Sequence, residues 1–136
     1  MMSEAQRPCI LIVDDDPDVV SYLETLFSDN GYHPICASGG DQGLELARQH
    51  QPDLICLDIS MPPPTGVRVY RTLREDPQLK SIPVVMITGV EQEFEGFIKS
   101  RRQVPPPDGY HRKPFDPDEV LGTVREVLAK RQATTH

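Results

Sequence analysis

Two periodicities alternate along this chain. Short apolar runs rich in β-branched residues read as strands: Cys9–Val13, a sparse Ile35–Ala37, Leu54–Leu57, Val84–Ile87, and a polar fifth around Tyr110–Arg112. Between them lie segments with helical spacing. Residues 17–30 carry Val19, Val20, Leu23, Leu26 and Phe27 on one stripe. Asp16 stands at the N-cap position, Pro17 at the first helical position, and Asn30-Gly31 supplies a stop. Helices are expected again over about Gly40–His50, over Val67–Glu75, and over Glu91–Arg102, where only Phe94, Phe97 and Ile98 anchor the pattern. The last helix is capped by Asp116 and opened by Pro117, and it lines up Val120, Leu121, Val124, Val127 and Leu128 on its inner face. Five strands alternating with five helices predict an α/β fold, a five-stranded parallel sheet with helices on both faces. The triple prolines 62–64 and 105–107 fall in loops, where they stiffen the connection and cannot continue a helix.

Length confines this pattern to one domain. With 136 residues, a second independent core is not expected. The expected division is a tail over residues 1–8, one domain over 9–131 and a tail over 132–136. A net charge of −7 opposes non-specific binding to nucleic acid or to an acidic membrane surface. No apolar run approaches the roughly 20 residues of a membrane helix, and residues 1–8 lack the apolar stretch of a signal peptide, so the expected compartment is the cytoplasm. Cys9, Cys36 and Cys56 are odd in number, lack metal-ligand spacing and lie in or beside apolar segments, which points to buried reduced thiols.

The chemistry gathers at the carboxyl ends of the strands, where open α/β sheets bind ligands. The first strand runs into Asp14-Asp15-Asp16, the third ends at Asp58, the fourth at Thr88, and the fifth is followed by Lys113-Pro114. Each residue alone has an ordinary explanation. Asp16 and Asp18 fit a helix cap and first turn, Thr88 a strand end, Lys113 a solvated loop. Their joint placement at one sheet edge is what calls for a functional reading. Two carboxylates about 4 Å apart repel by roughly 4 kcal/mol at an effective dielectric of 20. A lysine neutralises one charge, and a hard divalent cation with oxygen ligands, Mg²⁺, suits the remainder. A metal beside a carboxylate, with an ammonium and a hydroxyl facing it, is suited to phosphoryl transfer, with Asp58 as nucleophile.

These residues resemble the receiver domain of two-component response regulators over about residues 8–131. LIVDDDPDV (11–19) is similar to the acidic motif, and PDLICLDISMPPPTG (52–66) to the phosphoacceptor strand and its loop, with Asp58, Met61, Pro62 and Gly66 in register. IPVVMITG (82–89) is similar to the threonine strand and KPF (113–115) to the lysine-proline turn. The resemblance implies a flavodoxin-like (βα)₅ sheet with strand order 2-1-3-4-5 and a phosphorylation-dependent switch. Asp58 would accept a phosphoryl group from a sensor histidine kinase or histidine phosphotransfer protein. Asp14, Asp15, Asp58 and the backbone carbonyl of Ser60 would hold Mg²⁺. Lys113 would pair with the carboxylate and then with the phosphoryl oxygens, and Thr88 would swing to the phosphoryl group. Tyr110 would be the switch aromatic that turns inward, and Lys113-Pro114 would be cis. Catalysis would extend no further than the domain's own phosphorylation and dephosphorylation. Output would be a protein contact rather than direct nucleic-acid binding, by a monomer or weak dimer.

Three features depart from the family pattern. Pro62–Pro64 stiffens the loop after Asp58, the stretch from Thr88 to Lys113 is longer than usual, and residues 91–109 replace an alanine- and glycine-rich pattern with Lys99, Arg101 and Arg102 followed by prolines. The output partner is therefore not carried over. After the last helix only Gln132–His136 remain, too few for an output domain, so a self-contained receiver is expected, with an N-terminal receiver of a longer regulator as the alternative. An aspartyl-phosphate hydrolase would want two aspartates spaced as Asp14 and Asp16 are, but it would also want a substrate cap. A flavin binder would want a phosphate loop where this chain has three aspartates.

Overall fold

The computed structural model describes residues 7–89 and 105–134, with side chains to residue 131. Its elements are β1 (Cys9–Val13), α1 (Pro17–Asp29), β2 (His33–Ala37), α2 (Gly40–His50), β3 (Leu54–Asp58), α3 (Gly66–Glu75), β4 (Val84–Thr88), β5 (Gly109–Arg112) and α4 (Pro117–Thr134). The five strands form one parallel sheet in the order β2-β1-β3-β4-β5, as expected. The expected helix over Glu91–Arg102 and its basic cluster lie outside the described residues.

Side-chain alternation explains why both sheet faces are apolar. On β1, Leu11 and Val13 join one buried cluster while Ile10 and Ile12 join the other. On β3, Ile55 and Leu57 go with the first cluster, Leu54 and Cys56 with the second. Period two thus feeds two cores. The first is closed by Ala47 of α2 and by Val69, Tyr70 and Leu73 of α3. The second is closed by Leu23 and Phe27 of α1 and by Val120, Val124 and Val127 of α4. Each fully buried aliphatic side chain contributes about 1.5–3 kcal/mol over leaving it in water.

Local signals set the helix ends. The Asp16 carboxylate accepts from the Asp18 N–H at 2.9 Å, and Asp116 accepts from Asp118 N–H at 2.8 Å, so both expected caps are present. Gly31 sits at φ +90°, the left-handed turn that lets the chain leave α1 for β2. The polar β2 and β5 extend beyond their apolar residues because the ladder to β1 and β4 recruits His33, Pro34 and Gly109.

No helix among the described residues is long and apolar enough to cross a membrane. All three cysteines are free; Cys56 is buried, while Cys9 and Cys36 are half-buried. Burial raises the Cys56 thiol to about 12, and burial together with the neighbouring Glu24 carboxylate raises Cys36 to about 12, so both stay protonated.

Candidate functional site

Sheet register assembles the site. Val13 is paired with Leu57, so the next residues, Asp14 and Asp58, arrive side by side at the sheet edge. Asp58 is paired with Ile87, which puts Thr88 one rung further on, and Thr88 is paired with Arg112, which puts Lys113 beyond it. The backbone N–H of Lys113 donates to the Thr88 carbonyl at 2.7 Å, extending that ladder by one bond. The Lys113–Pro114 peptide is cis, as expected.

The two inner carboxylates are held alike. Asp14 Oδ1 accepts from the Asp16 N–H at 2.9 Å, and Asp58 Oδ1 accepts from the Ser60 N–H at 3.0 Å. Each is an Asx-type bond to the amide two residues on, so the strand-end turn itself orients the side chain. The other oxygens face one ammonium. Lys113 Nζ donates to Asp14 Oδ2 at 3.0 Å and lies 3.7 Å from Asp58 Oδ2. Lys113 thus pairs with both carboxylates, and Asp14 holds it more closely. Asp14 and Asp58 are each only 3% exposed, whereas Asp15 stands at the surface. One ligand oxygen from each of Asp14, Asp15 and Asp58 lies within 4.8 Å of the others.

Charge is out of balance there. Burial, then the Asp14 charge, push the Asp58 carboxyl up to about 6, against the opposing pull of the Ser60 N–H and Lys113. Burial works to lower Lys113, but its bond to Asp14 and the charges of Asp58, Asp14 and Asp16 outweigh it and raise the ammonium above its usual value. Three carboxylates against one lysine leave net negative charge in an all-oxygen donor set. That is the environment a hard divalent cation fits.

The remaining site residues are close by. Thr88 is fully buried, and its hydroxyl lies 3.3 Å from the Ser60 hydroxyl. Tyr110 is paired with Met86 in the sheet; its ring is half-buried against the α2–α3 side core, and its hydroxyl oxygen is buried. Gly66 packs so tightly on the backbone of Asp58 and Ile59 that a Cβ there would strike both. The start of α3 is thereby seated directly behind the phosphoacceptor candidate. The Ser60 side chain was not singled out from the sequence, where only its carbonyl was considered. The available signal was a hydroxyl two residues beyond Asp58. Asp16, by contrast, is occupied as a helix cap, and its side chain is not among the clustered carboxylates.

A doubly wound parallel sheet with an acidic, lysine-paired cleft at its carboxyl edge defines the class: an open α/β domain whose ligand site lies beyond the strand ends. The chain belongs to the response regulator receiver domain family, whose model matches residues 10–125. Protein PilH of Pseudomonas aeruginosa is 35% identical over 120 residues, covering 88% of this chain and 97% of that protein. The alkaline phosphatase synthesis transcriptional regulatory protein PhoP of Bacillus subtilis is 34% identical over 123 residues, 90% of this chain but only 49% of its own length. The chain thus spans about half of that regulator. Among solved structures, the chemotaxis protein CheY4 of Vibrio cholerae superposes with a TM-score of 0.76 at 28% identity, over 89% of this chain and 98% of that one. Receiver domains are signalling domains of two-component systems rather than classical enzymes, and they bind Mg²⁺ at an acidic pocket.

Proposed function

We propose that this domain is a phosphorylation-dependent switch that accepts a phosphoryl group on Asp58 from a histidine kinase or histidine phosphotransfer protein. The observation that carries it is the buried pair Asp14 and Asp58, each pinned by its own turn and both facing Lys113. Two buried carboxylates that share a single ammonium are costly to enclose, which supports a reactive role. Asp14, Asp15, Asp58 and the Ser60 carbonyl would hold Mg²⁺, which when bound neutralises charge on the incoming phosphoryl oxygens.

This chain's own residues do the rest. A carboxylate oxygen of Asp58 forms the P–O bond as the P–N bond of the donor phosphohistidine breaks, the electron pair leaving on the imidazole nitrogen. Lys113 transfers its pairing to the phosphoryl oxygens, and the Thr88 hydroxyl donates to another. Tyr110 follows into the space behind Thr88 and carries the change to the β4–β5 side of the domain. Beside the site the exposed Tyr22 ring stands edge-to-face on the half-buried Phe115 at 5.7 Å, which supports docking of a protein donor there. The unit is a receiver over 9–131, acting in the cytoplasm through protein contacts. The same geometry serves equally as the receiver of a longer regulator.

The test is acetyl phosphate with Mg²⁺ followed by intact mass. Wild type gains one phosphoryl group and Asp58→Asn gains none. Equal labelling of the variant would remove Asp58 from the mechanism.

A further inference from the structure

One residue touches both the phosphoacceptor and the threonine that is to follow it. The Ser60 N–H donates to Asp58 Oδ1 at 3.0 Å, and the Ser60 hydroxyl lies 3.3 Å from the Thr88 hydroxyl. The loop presents that hydroxyl at a set place. The N–H groups of Met61 and Gly66 both donate to the Ile59 carbonyl, at 3.1 and 3.2 Å. Gly66 also packs so closely on Asp58 and Ile59 that no side chain fits between them, and Pro62–Pro64 follow with fixed φ. Thr88 meanwhile is fully buried at the end of β4.

We propose that the Ser60 hydroxyl is a latch on Thr88. In the unphosphorylated protein it holds the threonine toward the β3–α3 loop, and activation requires that bond to be exchanged for one to the phosphoryl group. The inference rests on the reading of Asp58 as phosphoacceptor, and it assigns to Ser60 a side-chain role distinct from its backbone contacts. Either hydroxyl can donate in the resting pair; the exchange runs forward because the Thr88 O–H gains a charged phosphoryl acceptor, a bond about twice as strong as one between neutral hydroxyls. The latch therefore sets the resting population. With it, only a fraction of molecules hold Thr88 ready, and apparent affinity for the phosphoryl state is reduced by that fraction.

Ser60→Ala removes the hydroxyl and keeps the amide on Asp58. Two readouts decide the matter: the side-chain rotamer of Thr88 by methyl NMR in the metal-free, unphosphorylated protein, and the affinity for beryllofluoride, a phosphoryl mimic, in Mg²⁺. The expected results are a shifted Thr88 rotamer population and beryllofluoride binding tightened by about two- to tenfold, the range a neutral hydrogen bond spans. Ser60→Thr, which keeps the hydroxyl, stays close to wild type, and Ser60→Cys, of similar size with a weaker donor, falls between. An unmoved Thr88 rotamer, or beryllofluoride binding unchanged or weakened in Ser60→Ala, overturns the latch. If wild type takes up no beryllofluoride at all, the phosphoacceptor reading fails by itself, and the Thr88 rotamer in the unphosphorylated protein still decides the latch.

Discussion

Asp58→Asn is expected to make the metal-free domain more stable at neutral pH. Burial and the nearby Asp14 push the Asp58 carboxyl from its ordinary value of 3.8 to about 6, a displacement worth roughly 3 kcal/mol. The sign follows from linkage. The folded state binds this proton more tightly than the unfolded chain, so its contribution is fully present below about pH 4 and is lost as pH rises through about 6. Asparagine has nearly the same shape, still offers an oxygen to the Ser60 N–H, and carries no charge. It gives up the 3.7 Å attraction to Lys113, but Lys113 keeps its 3.0 Å partner Asp14. In EDTA at pH 7.5 the variant should gain up to about 3 kcal/mol, on the order of 5–10 °C in Tm for a domain of this size. Urea unfolding across pH 4–8 measures this, with the gap closing toward pH 4. Saturating Mg²⁺ should narrow it too, because wild type gains binding energy that the variant, one ligand short, gains less of. A variant no more stable than wild type at pH 7.5, or a gap independent of pH, would refute the charge imbalance assigned to the site.

Further outcomes follow from the same geometry. Asp15→Ala should weaken Mg²⁺ binding more than Asp16→Ala, because Asp15 contributes a clustered oxygen and Asp16 a helix cap; metal titration of both variants checks the order. Asp16→Ala should instead cost about 1 kcal/mol of stability, read by urea unfolding. Gly66→Ala should destabilise the fold and slow phosphorylation together, since a Cβ there strikes the backbone of Asp58 and Ile59; unchanged Tm and labelling would contradict that packing. Tyr70→Phe should cost about 0.5–1.5 kcal/mol, the worth of its 2.6 Å bond to the Pro105 carbonyl, with hydrogen-exchange protection lost at the amides of residues 108–110.

The alternation of apolar periods, by itself, determined the fold class. Runs such as Ile10–Val13 and Leu54–Leu57 are apolar at every position, which only a strand covered on both faces permits, and Asp16-Pro17 and Asp116-Pro117 mark their helix starts by local chemistry alone. The site residues were legible for the same reason: each stands where an apolar run stops, and parallel strands bring all their carboxyl ends to one edge. Partnering among them was not legible. Whether Lys113 sits nearer to Asp14 or Asp58 depends on strand register and on the route of the chain through Pro114, and neither leaves a trace in spacing. The Ser60–Thr88 contact spans 28 residues and arises only once β3 and β4 are paired. Burial decided the electrostatics likewise. Asp14 and Asp15 are identical in sequence, yet one is enclosed beside Lys113 and the other faces solvent, a difference that belongs to the packed sheet edge and not to either residue.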